Sequence, residues 1–242
     1  MLNCPEVFQV FSVDSDDLVA TAQVVDACMR LKLPYRIAPA GIMPVVPRRD
    51  TIYGPCIPVR HYGSVDIFLE VIELAELNGI LVIDNGGRTD EACIGDLIVL
   101  EAKQAGLQGI ALWGLHRDTN DLLEINLPVW SYGSYPSGPA RLDARETEAL
   151  KNARFGNFSV TPNDIVFMDQ DGLVFIEAVN LEQILETARL IRKTERRQAK
   201  LAAEGTSMRQ QFLLRSFLQK RESNPEYTFR LHLASLSKSI EE

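Results

Sequence analysis

Residues Gly95 to Asp118, GDLIVLEAKQAGLQGIALWGLHRD, read as a helix followed by a strand. Leu97, Leu100, Ala102 and Ala105 recur among Glu101, Lys103 and Gln104 at helical spacing, Gly106 ends the run, and Ile110-Ala111-Leu112-Trp113 is a short apolar strand. Asp96 therefore opens a helix, and Arg117-Asp118 leave a strand. A helix packed on its strand keeps those two ends apart, unless a bend of the sheet or a second subunit brings them together. Just upstream, Ile80-Leu81-Val82-Ile83 is a continuous apolar run, the pattern of a strand buried on both faces. It empties into Asp84-Asn85-Gly86-Gly87-Arg88, ordinary turn chemistry at a strand end, with neither G-x-G-x-x-G nor Gly-Lys-Ser/Thr to mark a nucleotide site.

The same alternation extends in both directions. Residues 16–31 fit an amphipathic helix stopped at Leu33-Pro34, and 34–50, broken by Pro39, Gly41, Pro44 and Pro47, reads as loop with short extended pieces. Thr51 to Val59 is expected as an edge or bulged strand, because Pro55 and Pro58 cannot donate to a central ladder. A helix over 64–78 closes at Gly79; Thr119 to Ile125 is a short helix and Pro128 to Tyr132 a strand. Residues 160–169 and 173–176 form a hairpin through Gln170-Asp171-Gly172. This order predicts a mixed α/β fold. From Leu181 a helix carries Leu181, Ile184, Leu185, Ala188 and Ile191 on one stripe, and the same spacing places Glu195 there, where a carboxylate needs a reason.

Composition narrows the functional classes. The chain has 242 residues, 46% of them hydrophobic, enough for one sizeable domain with an extension. Its net charge of −8 argues against nucleic acid as the partner of the whole body. Cys4, Cys28, Cys56 and Cys93 form no C-x-x-C pair, so buried thiols are expected in place of zinc ligands or a disulfide framework. No basic-then-apolar leader opens the sequence and no run of eighteen apolar residues occurs, so no membrane partner and a cytoplasmic location are expected. His61, His116 and His232 lack metal-ligand spacing, and His116 reads as a surface loop residue. Gly133-Ser134-Tyr135-Pro136-Ser137 is not G-x-S-x-G, which removes a serine nucleophile.

The chemistry concentrates where the first stretch begins and ends. A helix starting at Asp96 presents the backbone N–H groups of Leu97 and Ile98 to an anion. Arg117 can grip the same anion with two parallel hydrogen bonds. Asp118 is a hard oxygen ligand suited to Mg²⁺ or Mn²⁺. Asp96 and Asp118 can also serve simply as helix N-caps, and Arg117 as a surface cation.

Gly95-Asp96, then twenty intervening residues, then Arg117-Asp118 resembles the D-x20-R-D signature of the RraA-like family, which includes 4-hydroxy-4-methyl-2-oxoglutarate aldolases and regulators of ribonuclease activity. Thr21 to Ala27, Leu81 to Gly87, Leu127-Pro128-Val129-Trp130 and Asn163 to Val174 fall in the family's order, so the likeness covers residues 15–198. The resemblance implies a layered α/β/β swivelling-type domain, usually trimeric, here with a C-terminal helical extension. It implies that Gly95, the amides of Leu97 and Ile98, and Arg117 hold the pyruvate part of a small 2-oxo acid. Asp96 would position a water that exchanges a proton with the pyruvate methyl, Asp118 would carry a divalent metal, and Glu195 is the candidate carboxylate reaching the metal's water shell from an adjacent subunit. Arg88 would add a second cationic contact. The implied activity is a metal-dependent lyase cleaving a 4-hydroxy-2-oxo acid to pyruvate, with oxaloacetate decarboxylation as a second activity. The alternative is a non-catalytic regulator binding a ribonuclease or another protein. Trp113 before Gly114, and Asp90-Glu91 near the substrate loop, depart from the family's usual residues.

Domain boundaries follow: residues 1–180 form the α/β domain, and 181–242 a helical extension at a subunit interface of a homotrimer or hexamer. From Arg189 to Arg221 ten basic residues face two acidic ones, the reverse of the body's charge. That tail is expected to pack Phe212, Leu213, Phe217 and Leu218 on a neighbouring acidic subunit, in preference to nucleic acid.

Overall fold

The computed structural model describes residues 19–74 and 78–236. The described chain falls into two compact units, an α/β unit of residues 19–21 and 36–179 and a helical unit of residues 22–35 and 180–236. Helix α1 (Thr21–Leu31) thus clusters with the C-terminal helices; of its expected span, 16–18 lie outside the described residues. Among the described residues no helix is long and apolar enough to cross a membrane.

The α/β unit is built on β1 (Arg36–Ile37), β2 (Met43–Pro44), β3 (Ile52–Arg60), helix α2 (Asp66–Leu74), β4 (Ile80–Asp84), β5 (Ala92–Ile94), helix α3 (Asp96–Gln104), β6 (Gly109–Trp113), β7 (Leu115–His116), helix α4 (Thr119–Ile125), β8 (Val129–Ser131), β9 (Ala153–Phe155), β10 (Phe158–Val160), β11 (Asp164–Asp169) and β12 (Gly172–Glu177). The main sheet runs β1-β12-β11-β3-β4-β6-β8-β2. Strands β3, β4, β6 and β8 are parallel to their neighbours in that central run, and β1, β12, β11 and β2 pair antiparallel around it. Fully buried β4 shows why the fold is layered. Leu81 and Ile83 face Phe68, Val99 and Leu122 of the helices, whereas Ile80 and Val82 face Trp130, Phe155 and Phe175 on the side of the β9–β10 hairpin. Each such fully buried side chain contributes roughly 1.5–3 kcal/mol. Helices on one face and β-structure on the other make this the expected α/β/β arrangement.

Strand β3 corrects one expectation, because it lies inside the sheet despite its prolines. Its residues Ile52 to Pro55 pair with β11 and Cys56 to Arg60 pair with β4. Arg60 donates its backbone N–H to Ala149 O at 2.8 Å, away from β4. By alternation Pro58 turns its nitrogen the same way, past the end of the β11 pairing, and Pro55 turns its nitrogen toward β4 before β4 begins. Neither proline therefore removes a ladder hydrogen bond. The turn before β4 is also displaced by one residue. Asn78 takes the left-handed conformation (φ 69°), and a Cβ at Gly79 would lie 2.2 Å from Ile57 Cδ1.

In the helical unit, α5 (Leu181–Ala203) buries Ile184, Leu185, Ala188 and Ile191 as its spacing predicts. Glu195 accepts a hydrogen bond at one carboxylate oxygen, Oε2, from Gln23 Nε2 of α1 at 2.7 Å. Helix α6 (Met208–Gln211) opens on a capping box between Ser207 and Gln210 and leads to α7 (Leu214–Ser223) and α8 (Phe229–Ser235). Phe217 is buried among Phe229, Tyr227 and His232, with ring centroids 5.1, 6.1 and 5.5 Å away, and Phe212 stands edge-on to Phe229. These aromatic residues, expected on a neighbouring subunit, instead form the tail's own small core; Leu213 and Leu218 are exposed.

Candidate active site

The two ends of the Gly95–Asp118 stretch meet. Strand β5 pairs in parallel with β7, Ala92 beside Leu115 and Ile94 beside His116, and Arg117 N donates to Ile94 O at 3.0 Å. Gly95 and Arg117 therefore leave adjacent strands in the same direction. The chain manages this because it does not stop at β6: Gly114 carries it past Trp113 into a second short strand. Gly95 itself is extended (φ −139°), so its need for glycine is steric. A Cβ there would sit 2.2 Å from Asp118 Oδ2 and 3.2 Å from Arg117 Nε.

Helix α3 starts with Gly95 as N-cap and no side chain capping it. Asp96 is its first helical residue, so its carboxylate is not the cap. The first-turn N–H groups, those of Leu97 and Ile98 included, have no intrahelical acceptor and carry the positive end of the helix dipole. Asp118 does occupy the N-cap position of α4, but in the left-handed conformation (φ 57°, ψ 41°) and again without a side-chain cap bond. Its Oδ2 lies 3.2 Å from Arg117 Nε, and the Arg117 and Asp118 side chains are 49% and 34% exposed. A non-glycine residue held in the left-handed region costs free energy, and such residues cluster where function needs a particular side-chain direction. The carboxylate is thus free of helix capping and turned toward the guanidinium.

Beneath this pair lies His116, which the structure buries, against the expectation of a surface loop residue. Its Nδ1 is 2.7 Å from Ser131 Oγ and its Nε2 3.0 Å from Thr119 Oγ1. Burial holds its pKa below the ordinary imidazole value, and the nearby Asp118 carboxylate works in the opposite direction. Neutral His116 therefore acts as a wedge between β8 and α4 that fixes the Arg117-Asp118 backbone. The loop after β8 is tied on as well: His116 N donates to Gly133 O, Tyr135 N to His116 O, and Ala92 N to Ser137 O.

A second polar cluster, invisible to sequence spacing, sits at the carboxyl ends of β3 and β4. Buried Glu91 accepts from Arg141 Nε at 3.0 Å and Nη2 at 2.9 Å, and Arg141 Nη2 also donates to Asn85 Oδ1 at 2.9 Å. His61 Nδ1 is 2.9 Å from the same Asn85 oxygen. Since that oxygen can only accept, His61 carries its proton on Nδ1, leaving its buried Nε2 without a protein partner. The departure noted at Asp90-Glu91 is therefore structural: Glu91 anchors the residue before β5. Arg88, expected as a second cationic contact, pairs with Asp90 at 2.7 Å and reaches Glu91 at 3.5 Å. Cys56 and Cys93 are buried with thiol pKa values raised by burial, and Cys28 is pushed up to about 11, so none is a thiolate nucleophile at neutral pH; Cys4 lies outside the described residues.

The donor set at Asp118 is one hard carboxylate. Among the described residues no group of three His, Cys, Asp or Glu side chains is placed to hold a metal ion. A single carboxylate, 34% exposed, is the kind of donor Mg²⁺ or Mn²⁺ takes alongside water; a closed zinc site would need four protein ligands. Glu195 lies in the helical unit, bonded to Gln23.

A helix N-terminus and an arginine thus stand beside an exposed aspartate at the carboxyl ends of the parallel strands β5 and β7, the position where α/β proteins commonly bind ligands. The chain belongs to the RraA-like family, described as Aldolase/RraA, whose pattern matches residues 21–175. Among curated relatives, an uncharacterised protein of Methanocaldococcus jannaschii is 27% identical over 171 residues, 70% of this chain and 81% of that protein. A Bacillus cereus protein provisionally named a 4-hydroxy-4-methyl-2-oxoglutarate aldolase is 32% identical over 132 residues, 54% of this chain and 80% of its own length. A solved Streptomyces coelicolor structure, described as an unusual member of the RNase ES inhibitor RraA protein family, shares the fold with a TM-score of 0.64 at 22% identity, covering 78% of this chain and 98% of that one.

Proposed function

We propose that this protein is a divalent-metal-dependent lyase that cleaves a 4-hydroxy-2-oxo acid of the 4-hydroxy-4-methyl-2-oxoglutarate type to pyruvate, with oxaloacetate decarboxylation as a second activity. The observation that carries this reading is Asp118, held in a left-handed backbone and turned toward Arg117 while capping nothing. A residue serving only as an N-cap would place its carboxylate over the first turn of α4.

In this reading the amides of Leu97 and Ile98 and the Arg117 guanidinium bind the substrate's carboxylate and 2-oxo group, and Gly95 leaves room for them. The 4-hydroxyl passes its proton to water, its oxygen forms a carbonyl at C4 as the C3–C4 bond breaks, and the electron pair of that bond becomes the enolate of pyruvate. Fixed donors aimed at that oxygen lower the barrier because they stabilise charge that appears only as the bond breaks. The enolate carbon then takes a proton from a water positioned by Asp96. Asp118 would hold the metal, Mg²⁺ or Mn²⁺, with Glu195 of a neighbouring copy toward its water shell; bound there, the ion supplies Lewis-acid stabilisation of the developing charge. No lysine Schiff base is needed.

Pyruvate release from 4-hydroxy-4-methyl-2-oxoglutarate and from oxaloacetate, with Mg²⁺ and after chelation, tests this directly. Activity should require the ion and fall by about 10²-fold or more in Asp118→Ala, the scale set by loss of a major charge-stabilising group. An Asp118→Ala protein that keeps its rate without metal would remove the assigned role. A wild type inert with both Mg²⁺ and Mn²⁺ would overturn the lyase reading in favour of a ribonuclease-binding regulator.

A further inference from the structure

We propose that Gly138, outside the Gly95–Asp118 stretch, is a positioning residue of the anion site: by carrying no side chain it keeps open the edge of the Arg117 guanidinium that grips a carboxylate. The anion-binding role given to Arg117 under the proposed function is its premise. Two glycines touch this arginine. A Cβ on Gly95 would stand 3.2 Å from Arg117 Nε, and a Cβ on Gly138 would stand 3.3 Å from Arg117 Nη1, meeting nothing else within 4 Å among the described residues beyond its chain neighbours.

The atom beside Gly138 is the one that matters for binding. A guanidinium can give paired, parallel hydrogen bonds to a carboxylate from Nε with Nη2 or from Nη1 with Nη2. Asp118 Oδ2 stands 3.2 Å from Nε and takes the first edge. Nη1 and Nη2 have no acceptor among the described residues, and the side chain is 49% exposed, so the second edge is left for a ligand. Nη1 belongs to that edge.

The backbone does not ask for glycine at this position. Gly138 is not among the positive-φ glycines, and Pro139 after it favours an extended conformation that any residue adopts. Gly133, in the same segment, is the contrast: its φ is 132° and a Cβ there would meet nothing within 4 Å. Nor is Gly138 free to drift. Ala92 N donates to Ser137 O at 2.8 Å, and Arg141 Nη2 donates to buried Glu91 at 2.9 Å, so both anchors of the segment fall on consecutive residues entering β5. The far end of β5 leads to Gly95. One strand therefore holds both glycines, one at the Nε end of the guanidinium and the other at Nη1.

The experiment is calorimetric binding of pyruvate to the full-length protein with Mg²⁺, for wild type, Gly138→Ala and Gly138→Val, beside thermal melting. The guanidinium must give way slightly in Gly138→Ala and further in Gly138→Val. The dissociation constant should rise about threefold in the first and about tenfold or more in the second, within the range that ångström-scale misplacement produces. Melting temperature should hold or rise in Gly138→Ala, since replacing glycine at a compatible backbone restricts the unfolded chain. In an Arg117→Lys background, which lacks the paired edge, Gly138→Val should cost no further affinity; a merely structural effect would add to it in full. Gly138→Val binding as wild type does, an additive cycle, or affinity lost only together with melting temperature overturns the proposal. Should Gly138→Val fail to fold, wild-type affinity in Gly138→Ala overturns it alone. A wild type that binds pyruvate but turns over neither substrate removes the lyase reading and leaves Gly138 to be judged by the binding series. One that binds no pyruvate overturns both.

Discussion

The α/β unit and the helical unit treat their cations in opposite ways. In the α/β unit Arg36 faces Asp164, Arg60 faces Glu146, Arg141 faces Glu91, Arg145 faces Glu70 and Arg154 faces Asp84, so most positive charge is locked between strands and loops. In the helical unit Arg189, Lys193, Arg196, Arg197, Arg209 and Arg215 have no carboxylate partner among the described residues. Two other cations there lie over aromatic rings, Arg221 on Phe217 and Lys220 on Tyr227. The difference teaches what each unit's charge is for. Paired cations hold a site rigid, whereas unpaired ones leave a surface available to a partner.

The contrast breaks most visibly at Arg141. Arg141→Ala leaves the buried Glu91 carboxylate with only the 3.5 Å contact to Arg88, and denaturant unfolding should show a loss of about 3 kcal/mol, the low end for removing one partner of a buried pair. A loss below about 0.5 kcal/mol, the usual range for a surface change, would mean the cluster anchors nothing.

An intermediate effect is expected from His61 of the same cluster. Burial, more than any charged neighbour, holds its pKa below the ordinary value of 6.5. The unfolded chain therefore binds the proton first, so the stabilisation is present above that value and is lost as pH falls through it toward the lower folded pKa. Melting temperature should drop across that window in wild type and drop less steeply in His61→Gln; identical slopes would remove His61 from the account. The smallest effect belongs to the helical unit. Arg197→Ala should change unfolding stability by no more than about 0.5 kcal/mol. A larger loss would show that its charge is paired after all.

How much of this was legible beforehand depended on the range of the interaction. The α3–β6 pair, the buried strand β4, the hairpin turn at Gln170-Asp171 and the α5 stripe were all readable, because period and turn chemistry are local. The interior position of β3 was not, since its prolines look forbidding until one knows where each neighbouring strand starts and stops. The β9–β10 hairpin was likewise not anticipated. The Glu91–Arg141–Asn85–His61 cluster escaped because its partners are distant in the chain, Arg141 standing fifty residues from Glu91, and the burial of His116 escaped because it depends on the packing of β7 against β8 and α4, which no local pattern shows.

The amino-acid order alone determined that an acid, a guanidinium and a second acid stand at the ends of one helix–strand stretch, and that the tail reverses the body's charge. Only the folded molecule decided that those ends share a place, because the parallel pairing of β5 with β7 is a hydrogen-bonded contact that no local period encodes. It also decided that Asp118 turns its carboxylate to Arg117 instead of capping α4. Backbone conformation at a single residue settles that choice, and it is set by everything packed around it.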